Sequence, residues 1–188
     1  MQIIRFAELK AEPWRNGGGV TREVASHPSA DGSGWDWRVS LADVTKAGGF
    51  SPFPGMERLL TVVDAELLLL TVDGSERPVE KYRPFRFDGG AATSAALPTG
   101  DVRNLNVIAR AGAYKAYTSV IELSKKRAHP VFEGQVAVLL QGQASVGDGT
   151  GELLDLGRFD AVIDSDSPSP EILGRGFLAV VSVDPVEG

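Results

Sequence analysis

Apolar residues recur at every second position along much of this 188-residue chain. Residues 35–41 read Trp-Asp-Trp-Arg-Val-Ser-Leu, and residues 104–110 repeat the alternation. A period of two places neighbouring side chains on opposite faces of a strand. Turn-forming pairs such as Asp73-Gly74 and Asp148-Gly149 separate the apolar segments, and the chain contains 22 Gly and 11 Pro. The pattern predicts an all-β protein, a sandwich or a barrel, built from many short strands.

Four further segments rich in Val and Leu extend this prediction: residues 59–63, 65–72, 136–140 and 177–183. The one helix candidate, residues 122–128, is short and has no clear cap. A polar, proline-containing stretch at residues 165–170 predicts a surface loop.

Three short markers occur twice, in the same order. They are a Phe-x-Gly tripeptide beginning at residues 53 and 132, an Asp-Gly pair at 73 and 148, and Arg-Phe-Asp at 86 and 158. The separations of 72 to 79 residues are too long for a solenoid repeat. They favour a duplicated β unit whose two halves pack as one body.

The charge balance excludes several classes of protein. Asp and Glu number 25 against 19 Lys and Arg, which gives a net charge of -6. A surface of this sign disfavours direct binding to nucleic acid or to an anionic membrane. The first ten residues are too polar for the core of a signal peptide, and no apolar run is long enough to span a membrane. We therefore expect a cytoplasmic protein with no nucleic-acid or membrane partner.

The sequence also gives little support for a metal site or for a catalytic nucleophile. The chain has no Cys and only two histidines, His27 and His129, which are far apart and each precede a Pro. The His-x-His spacing of many metal-binding β-barrels is absent, so no metal or other cofactor is expected. No G-x-S-x-G nucleophile elbow or phosphate-binding loop is present.

The densest polar segment is residues 13–23, Pro-Trp-Arg-Asn-Gly-Gly-Gly-Val-Thr-Arg-Glu. Three consecutive glycines leave backbone N–H groups open to an anion or to a neighbouring strand. Trp14 could stack on a ligand, and Asn16 could donate and accept hydrogen bonds. The alternative is a glycine-rich hairpin that joins an edge strand to the sheet.

Arg58 opens the apolar segment 59–63. An arginine that faces inward on such a strand is costly unless a carboxylate pairs with it. The carboxylate could belong to the chain, with Glu23, Glu57 and Glu66 as candidates, or to a ligand held by two parallel hydrogen bonds. The alternative is an arginine that faces water at the start of its strand.

A third polar cluster lies at residues 103–110. By parity, Asn104, Asn106 and Arg110 share one face of the predicted strand. That face is either a polar wall inside a barrel or the ordinary solvated exterior of a sheet.

Several of these segments together resemble the HutD/Ves family. The matching motifs, in family order, are residues 14–23, Trp-Arg-Val-Ser at 37–40, Phe-Ser-Pro-Phe-Pro-Gly at 50–55 with Arg58, Pro-Phe-Arg-Phe-Asp-Gly at 84–89, and Leu-Asn at 105–106. The resemblance covers residues 14 to about 110. It is closer to the histidine-utilisation branch of the family than to its stress-associated branch.

The resemblance implies an all-β, cupin-type double barrel, that is, a bicupin of RmlC-like jelly rolls. The whole chain, 1–188, would form a single compact bicupin, with the first cupin half at roughly 1–112 and the second at roughly 113–188. The family lacks the metal-binding histidines of many cupins, in line with the two histidines here.

The implied function is that of a non-catalytic, small-molecule-binding modulator rather than an enzyme. Such a protein restrains expression of the histidine-degradation genes by binding an anionic intermediate, urocanate or N-formylglutamate. Its partner is therefore a small anionic metabolite, and its effect on transcription is indirect. A monomer or a homodimer is expected.

The family's pocket residues correspond here to Trp14, Asn16, Arg58 and Asn106, with Arg22, Arg38 and Ser40 as further ligand-binding residues. We expect Arg58 to hold a ligand carboxylate, Trp14 to cover a planar part of the ligand, and the two Asn side chains to bind its polar end. Asn104 stands where the family pattern has Asp. If that Asp orients a pocket arginine, its loss leaves the arginine freer for a ligand.

Two other classes of function stay open. A metal-independent cupin enzyme acting on a small carboxylic acid would need a general acid or base, and Glu23, Glu57 and Asp101 are the candidates. A protein–protein interaction module would have a filled barrel and an exposed apolar patch.

Overall fold

The computed structural model describes residues 1–164 and 168–188. Within them the regular structure is 17 β-strands and one turn of 3-10 helix, Phe6–Glu8, which is far too short to cross a membrane. The all-β prediction is confirmed. The loop predicted at 165–170 lies partly outside the described residues.

The strands are β1 (Gln2–Ile4), β2 (Glu12–Pro13), β3 (Gly19–Pro28), β4 (Trp35–Val44), β5 (Gly48–Gly49), β6 (Met56–Asp64), β7 (Leu67–Val72), β8 (Ser75–Glu80), β9 (Phe85–Asp88), β10 (Thr93–Ala96), β11 (Val102–Arg110), β12 (Tyr114–Glu122), β13 (His129–Pro130), β14 (Gln135–Gly147), β15 (Leu153–Leu156), β16 (Ala161–Ile163) and β17 (Glu171–Pro185).

The helix candidate at residues 122–128 does not form a helix. Strand β12 ends at Glu122, and residues 123–128 form no helix. Ser124 Oγ accepts hydrogen bonds from the backbone N–H groups of Lys126 at 3.1 Å and Arg127 at 3.2 Å. These local bonds close a turn, which a serine hydroxyl stabilises as readily as it caps a helix.

The chain divides into two compact units. The first unit is Lys10–Ala116 with Asp184–Gly188, and the second unit is Met1–Leu9 with Tyr117–Val183. These units differ from the halves expected at 1–112 and 113–188 chiefly at the two termini. The first nine residues join the second unit because β1 pairs there with β16. The last five join the first unit, where Val186 N–H donates to Ala113 O at 2.9 Å.

The first unit contains two sheets. A six-stranded sheet has the order β2-β3-β4-β11-β6-β9, and a four-stranded sheet has the order β5-β10-β7-β8. In the central strands, β6 is buried from Arg58 to Val63 and β11 from Asn104 to Ala109, whereas β4 is buried from Val39 to Ala42 and at Val44. The core of this unit is a cluster of buried residues: Leu60, Val62, Leu68, Leu70, Val79, Phe87, Ala95 and Val102.

The second unit is built on a seven-stranded sheet. Its main path is β1-β16-β14-β17-β12, with β13 paired to β17 and β15 paired to β14. Its core cluster is Leu123, Val131, Ala137, Leu139, Ala144, Val146, Leu156, Val162, Ile172, Leu178 and Val180.

The Phe-x-Gly marker forms the same turn in both units. Met56 N–H donates to Phe53 O at 3.1 Å, and Gln135 N–H donates to Phe132 O at 3.0 Å. Gly55 and Gly134 have φ values of +77° and +78°, which glycine adopts without strain. Each turn opens a long strand, β6 or β14, so this element of the duplication is structural.

The Arg-Phe-Asp marker, in contrast, has a different backbone structure in each of its two copies. Its first copy lies within strand β9. In its second copy Phe159 has a φ of +68° and lies in the turn between β15 and β16.

Asp160, in that turn, holds the N-terminal segment of the second unit. Its Oδ2 accepts from Arg5 Nη1 and from Gly157 N–H, both at 2.8 Å, and its Oδ1 accepts from Phe6 N–H at 2.9 Å. Burial raises the pKa of the Asp160 carboxyl, but the hydrogen bonds from Phe6, Arg5 and Gly157 outweigh it and hold the pKa below its usual value.

We expect Asp160→Asn to lower the free energy of unfolding at pH 7 by about 1–2 kcal/mol, because the amide cannot accept all of these bonds. A carboxyl with a lowered folded pKa stabilises the protein above its unfolded pKa, and this contribution is lost as the pH falls through the folded pKa. The difference from wild type should therefore shrink below about pH 4. Urea unfolding followed by circular dichroism at pH 7 and pH 3 measures it, with the exposed Asp101→Asn as control. An equal deficit at both pH values would contradict the prediction.

Candidate functional site

A cavity of about 610 Å³ lies in the first unit, within the size range of small-molecule sites. Strands β3, β4, β6 and β11, the loop between β2 and β3, and the loop before β6 supply its wall. The lining residues are Glu12, Pro13, Trp14, Arg15, Asn16, Thr21, Arg38, Ser40, Gly49, Phe50, Ser51, Phe53, Arg58, Asn106 and Ile108.

The structure brings six of the seven expected ligand-binding residues to this one cavity. They come from four separate segments of the first unit: Trp14 and Asn16 from the loop between β2 and β3, Arg38 and Ser40 from β4, Arg58 from β6 and Asn106 from β11.

Arg22 is placed elsewhere. On β3 it is Thr21 that lines the cavity, and successive residues of a strand point to opposite faces. Arg22 Nη1 donates to Asp43 Oδ2 at 2.9 Å, and Arg103 Nε donates to Asp43 Oδ1 at 2.6 Å. Burial raises the pKa of Asp43, but the bonds from Arg103 and Arg22 outweigh it and lower the pKa overall. Arg22 is thus part of an ion-pair network, and its expected contact with a ligand has no geometric support.

Strand pairing places two of the cationic side chains of the cavity, Arg38 and Arg58, in one row. Strand β11 lies between β4 and β6, and its Ile108 is opposite Arg38 on one side and Arg58 on the other. Two residues earlier on β11, Asn106 is opposite Ser40 of β4, and these two residues form a second row. Since alternate residues share a face, both rows face the cavity.

Arg58 is an inward-facing cation with little compensation. Only 6% of the residue is exposed, and Nη1 donates one long hydrogen bond, to Ser51 O at 3.4 Å. Its Nε is buried, and no atom of the described residues accepts a hydrogen bond from it. Burial, with a smaller contribution from the charge of Arg38, lowers the pKa of Arg58 to about 10.

The carboxylates proposed as internal partners do not reach Arg58. Glu57 instead accepts from Arg86 and, at 3.2 Å, from Lys115 Nζ. Glu23 and Glu66 do not line the cavity. Across residues 1–164 and 168–188, no carboxylate forms an ion pair with Arg58 or Arg38.

Aromatic rings support both arginines. The guanidinium carbon of Arg58 lies 5.3 Å from the ring centroid of Phe50, 5.4 Å from that of Phe53 and 5.2 Å from that of Phe87. Arg38 lies 4.9 Å from the Trp35 ring and 6.0 Å from that of Phe53. Such cation–π contacts stabilise a desolvated guanidinium without neutralising its charge.

The sequence reasoning missed this aromatic support. Phe50 and Phe53 lie within the Phe-Ser-Pro-Phe-Pro-Gly motif at residues 50–55, so a signal was available. Their role depends on the path of an irregular loop, which strand periodicity does not predict. Phe53 contacts both arginines and is therefore the central residue of this support.

Trp14 and Asn16 are held by contacts of their own. Trp14 Nε1 donates to Thr21 Oγ1 at 2.8 Å, and its ring meets Phe50 edge-on, with centroids 5.5 Å apart. Asn16 Oδ1 accepts from Gly18 N–H at 2.8 Å, and Nδ2 donates to Gly49 O at 3.1 Å. Asn16 therefore shapes the glycine loop, which leaves its amide little capacity for a ligand.

The glycine-rich segment is both a hairpin and a cavity wall. It joins β2 to β3, as the structural alternative predicted, and its residues 14–16 line the cavity. A Cβ at Gly19 would overlap Asp43 O and lie 3.2 Å from the Trp14 ring. Glycine is required there because strand and indole approach so closely.

Asn104 and Asn106 form a buried amide pair. Asn106 Nδ2 donates to Asn104 Oδ1 at 2.5 Å, and Asn104 is fully buried beneath the cavity wall. Arg110, on the same strand face, lies at the other end of β11 and pairs with Asp36 at 2.9 Å. The polar wall therefore comes from Asn106 with Asn104 behind it.

Neither histidine lines the cavity. The His27 ring stacks on Trp37, with centroids 6.0 Å apart, and His129 lies on β13. In the part of the chain that the structure describes, no three His, Asp or Glu side chains are grouped closely enough to hold a metal ion.

Sequence comparison supports the resemblance. A family model described as HutD matches residues 6–180. Protein Ves of Citrobacter koseri is 31% identical over 152 residues, which cover 79% of this chain and 77% of that protein. A Pseudomonas putida relative, described as an uncharacterized 21.2 kDa protein in the hutC 3' region, is 36% identical over 117 residues. That match spans 62% of each chain.

Solved structures agree with the sequence comparison. HutD from Pseudomonas fluorescens SBW25 is 28% identical, with a TM-score of 0.80 over 99% of both chains. A cupin 2 conserved barrel domain protein from Leptotrichia buccalis, only 9% identical, has a TM-score of 0.62 over 97% of this chain and 96% of its own, and supports the fold alone. The cupin-type fold class is thus confirmed, and the chain belongs to the HutD family.

Proposed function

We propose that this chain is a non-catalytic modulator of histidine utilisation. It binds an anionic intermediate of histidine degradation, urocanate or N-formylglutamate, in the cavity of the first unit, and it thereby restrains expression of the pathway. The observation that carries this proposal is Arg58, a buried guanidinium that lines the cavity and has no carboxylate partner in the described residues. Membership of the HutD family, and a relative described by its hutC 3' location, support the link to histidine utilisation.

Desolvation explains why the cavity favours an anion. Burial has already removed most of the water around Arg58, so a carboxylate that replaces the rest gains a strong, charge-assisted contact. The lining contains three arginines, Arg15, Arg38 and Arg58, and a single carboxylate, Glu12, which is exposed. The cavity is therefore locally positive in a chain whose net charge is -6.

The second arginine distinguishes the two acids. Urocanate has one carboxylate and a planar ring, which suits Arg58 together with the Trp14 indole. N-formylglutamate has two carboxylates and needs a second cationic contact. Arg38 offers that contact, since it lies across Ile108 from Arg58 and has no carboxylate partner of its own. The pair of arginines favours N-formylglutamate of the two.

Isothermal titration of EDTA-treated protein with each acid tests the proposal. We expect saturable binding of at least one acid at micromolar to low millimolar concentration, and much weaker binding of its uncharged amide. The amide control separates recognition of the charge from simple filling of the cavity. Absence of heat with either acid, in protein shown to be folded, would contradict the proposal and favour the protein–protein interaction module.

The geometry does not support the enzyme alternative through the three acids and bases considered for it. Its candidate acids and bases, Glu23, Glu57 and Asp101, do not line the cavity. Glu57 is occupied by Arg86 and Lys115. Chemical turnover of either acid by the purified protein, with a bell-shaped pH profile, would favour the enzyme over the modulator.

A further inference from the structure

Three buried polar atoms in the cavity wall have no hydrogen-bond partner among the described residues. They are Nε of Arg38, Nε of Arg58 and Oδ1 of Asn106. The two arginine atoms are donors, which suit a carboxylate. The asparagine oxygen is an acceptor, so it repels a carboxylate and pairs only with an N–H or O–H group. The cavity wall therefore favours a ligand that carries a hydrogen-bond donor as well as a negative charge.

In the structure the amide of Asn106 is paired with that of Asn104, whose own Nδ2 also has no partner among the described residues. Asn106 Nδ2 donates to Asn104 Oδ1, and Asn104 cannot move aside easily because it is fully buried in β11. The register between β11 and β6 shifts at this point, between Arg103 and Asn104. Such a bulge redirects side chains locally. With Nδ2 engaged, Oδ1 is the end of Asn106 that still needs a partner.

We propose that Asn106 Oδ1 accepts a hydrogen bond from the ligand, so that the cavity selects small carboxylic acids that also carry an N–H or O–H donor. The inference rests on the proposed function and narrows its ligand class. Asn106 is 94% buried, so an unpaired oxygen there is costly once a ligand excludes water. A site built in this way rejects a ligand that lacks the donor.

Strand geometry places the donor relative to the carboxylate. The row that contains Asn106 lies two residues from the row of Arg38 and Arg58, which is about 7 Å along the strand. A ligand that contacts both rows therefore has its donor several bonds from its carboxylate. The ring N–H of urocanate meets this requirement, and so does the amide N–H of N-formylglutamate relative to the side-chain carboxylate, from whose carbon the amide nitrogen is four bonds away.

The test pairs each acid with an analogue of equal charge that lacks the donor. N-formylglutamate is compared with N-formyl-N-methylglutamate, and urocanate with 3-(furan-3-yl)acrylate, by isothermal titration. We expect the analogue of the acid that binds to be weaker by about 10-fold or more. In Asn106→Leu, which keeps the size of the side chain but has no acceptor, both members of the pair should bind within about threefold of each other.

Asn16→Ala serves as the matched control. The Asn16 amide is engaged by Gly18 and Gly49, so its loss should weaken both members of a pair and leave their ratio unchanged. The comparison on wild-type protein stands by itself if a variant is unstable.

The outcomes separate this inference from the proposed function. If an acid binds and its donor-free analogue binds equally well, the inference is wrong and the proposed function stands, since water then satisfies Asn106. A preference that persists in Asn106→Leu also overturns the inference, because steric exclusion would explain it. If neither acid binds, the proposed function and the inference both fail.

Discussion

Arg58→Ala should weaken binding of the ligand acid by roughly 10- to 150-fold, because a hydrogen-bonded contact to a charged group contributes about 1.5–3 kcal/mol net. The upper part of this range applies if both nitrogens of the guanidinium fork bind the carboxylate. Isothermal titration of wild type and variant with the same acid measures the change. Arg58→Lys should retain part of the affinity, since it keeps the charge but loses the planar fork.

The variant is expected to fold. Arg58 pairs with no carboxylate in the described residues, so its replacement removes a buried charge rather than breaking an ion pair. Arg58→Met, which also fills the space between Phe50, Phe53 and Phe87, should be at least as stable as wild type toward heat. Arg83→Ala is the matched control, because Arg83 is 79% exposed and pairs with Glu80, away from the cavity lining.

An affinity of Arg58→Met within threefold of wild type would contradict the placement of the carboxylate. Such a result would favour Arg38 or Arg15, the other cationic residues of the cavity wall, as the residue that contacts the carboxylate. Loss of binding in Arg83→Ala would instead indicate a long-range charge effect rather than a contact.

The fold could largely be predicted from the sequence, because the alternation of apolar residues and the turn-forming residues are both local features of the chain. The predicted strands at 59–63 and 104–110 lie within β6 and β11, whose apolar residues are buried. The segment 136–140 predicted only part of β14, which continues to Gly147. The extension carries Gln141, Gly142 and Gln143, whose polarity and glycine content hide a strand that pairing with β17 stabilises.

The candidate site was less predictable, and Arg22 shows why. Thr21 and Arg22 are adjacent polar residues on β3, and only the register of the strand decides which of them faces the cavity. That strand bulges against β4 between Glu23 and Ala25, so parity cannot be carried along it. For Arg58 the sequence left an inward and a water-facing side chain open, and the structure shows the inward one. Once the side chain is inward, the cost of burying a charge favours a compensating anion.

Asn16 illustrates a different limit. Its residue type and its place in the glycine-rich motif favoured a ligand contact, and the structure does bring it to the cavity. Its hydrogen bonds, however, go to Gly18 and Gly49. An asparagine beside glycines is as well suited to holding a loop as to binding a ligand, and the sequence contains nothing that separates the two roles.

Raising the pH above about 10 should weaken ligand binding in a way that depends on Arg58. Burial lowers its pKa in the free protein to about 10, below the ordinary value of an arginine, and a bound carboxylate raises it again. Below pH 10 the guanidinium is protonated with or without ligand, so the affinity is flat. Above pH 10 binding must take up a proton, and the affinity should fall by about tenfold per pH unit. The ligand carboxylates stay ionised throughout, so the change belongs to the protein.

Titrations between pH 7 and pH 11 measure this profile, and Arg58→Lys does not serve as its control because lysine titrates in the same range. Arg58→Met does, since it has no proton to lose and its residual binding should not show the step. Stability has the opposite sign: above about pH 10 the unfolded chain binds more protons at this group than the folded chain, so this group favours the folded state as the pH rises. Loss of binding near pH 10 with the fold intact would therefore identify deprotonation of Arg58. An affinity that is unchanged up to pH 11 would contradict a pKa of about 10 for Arg58.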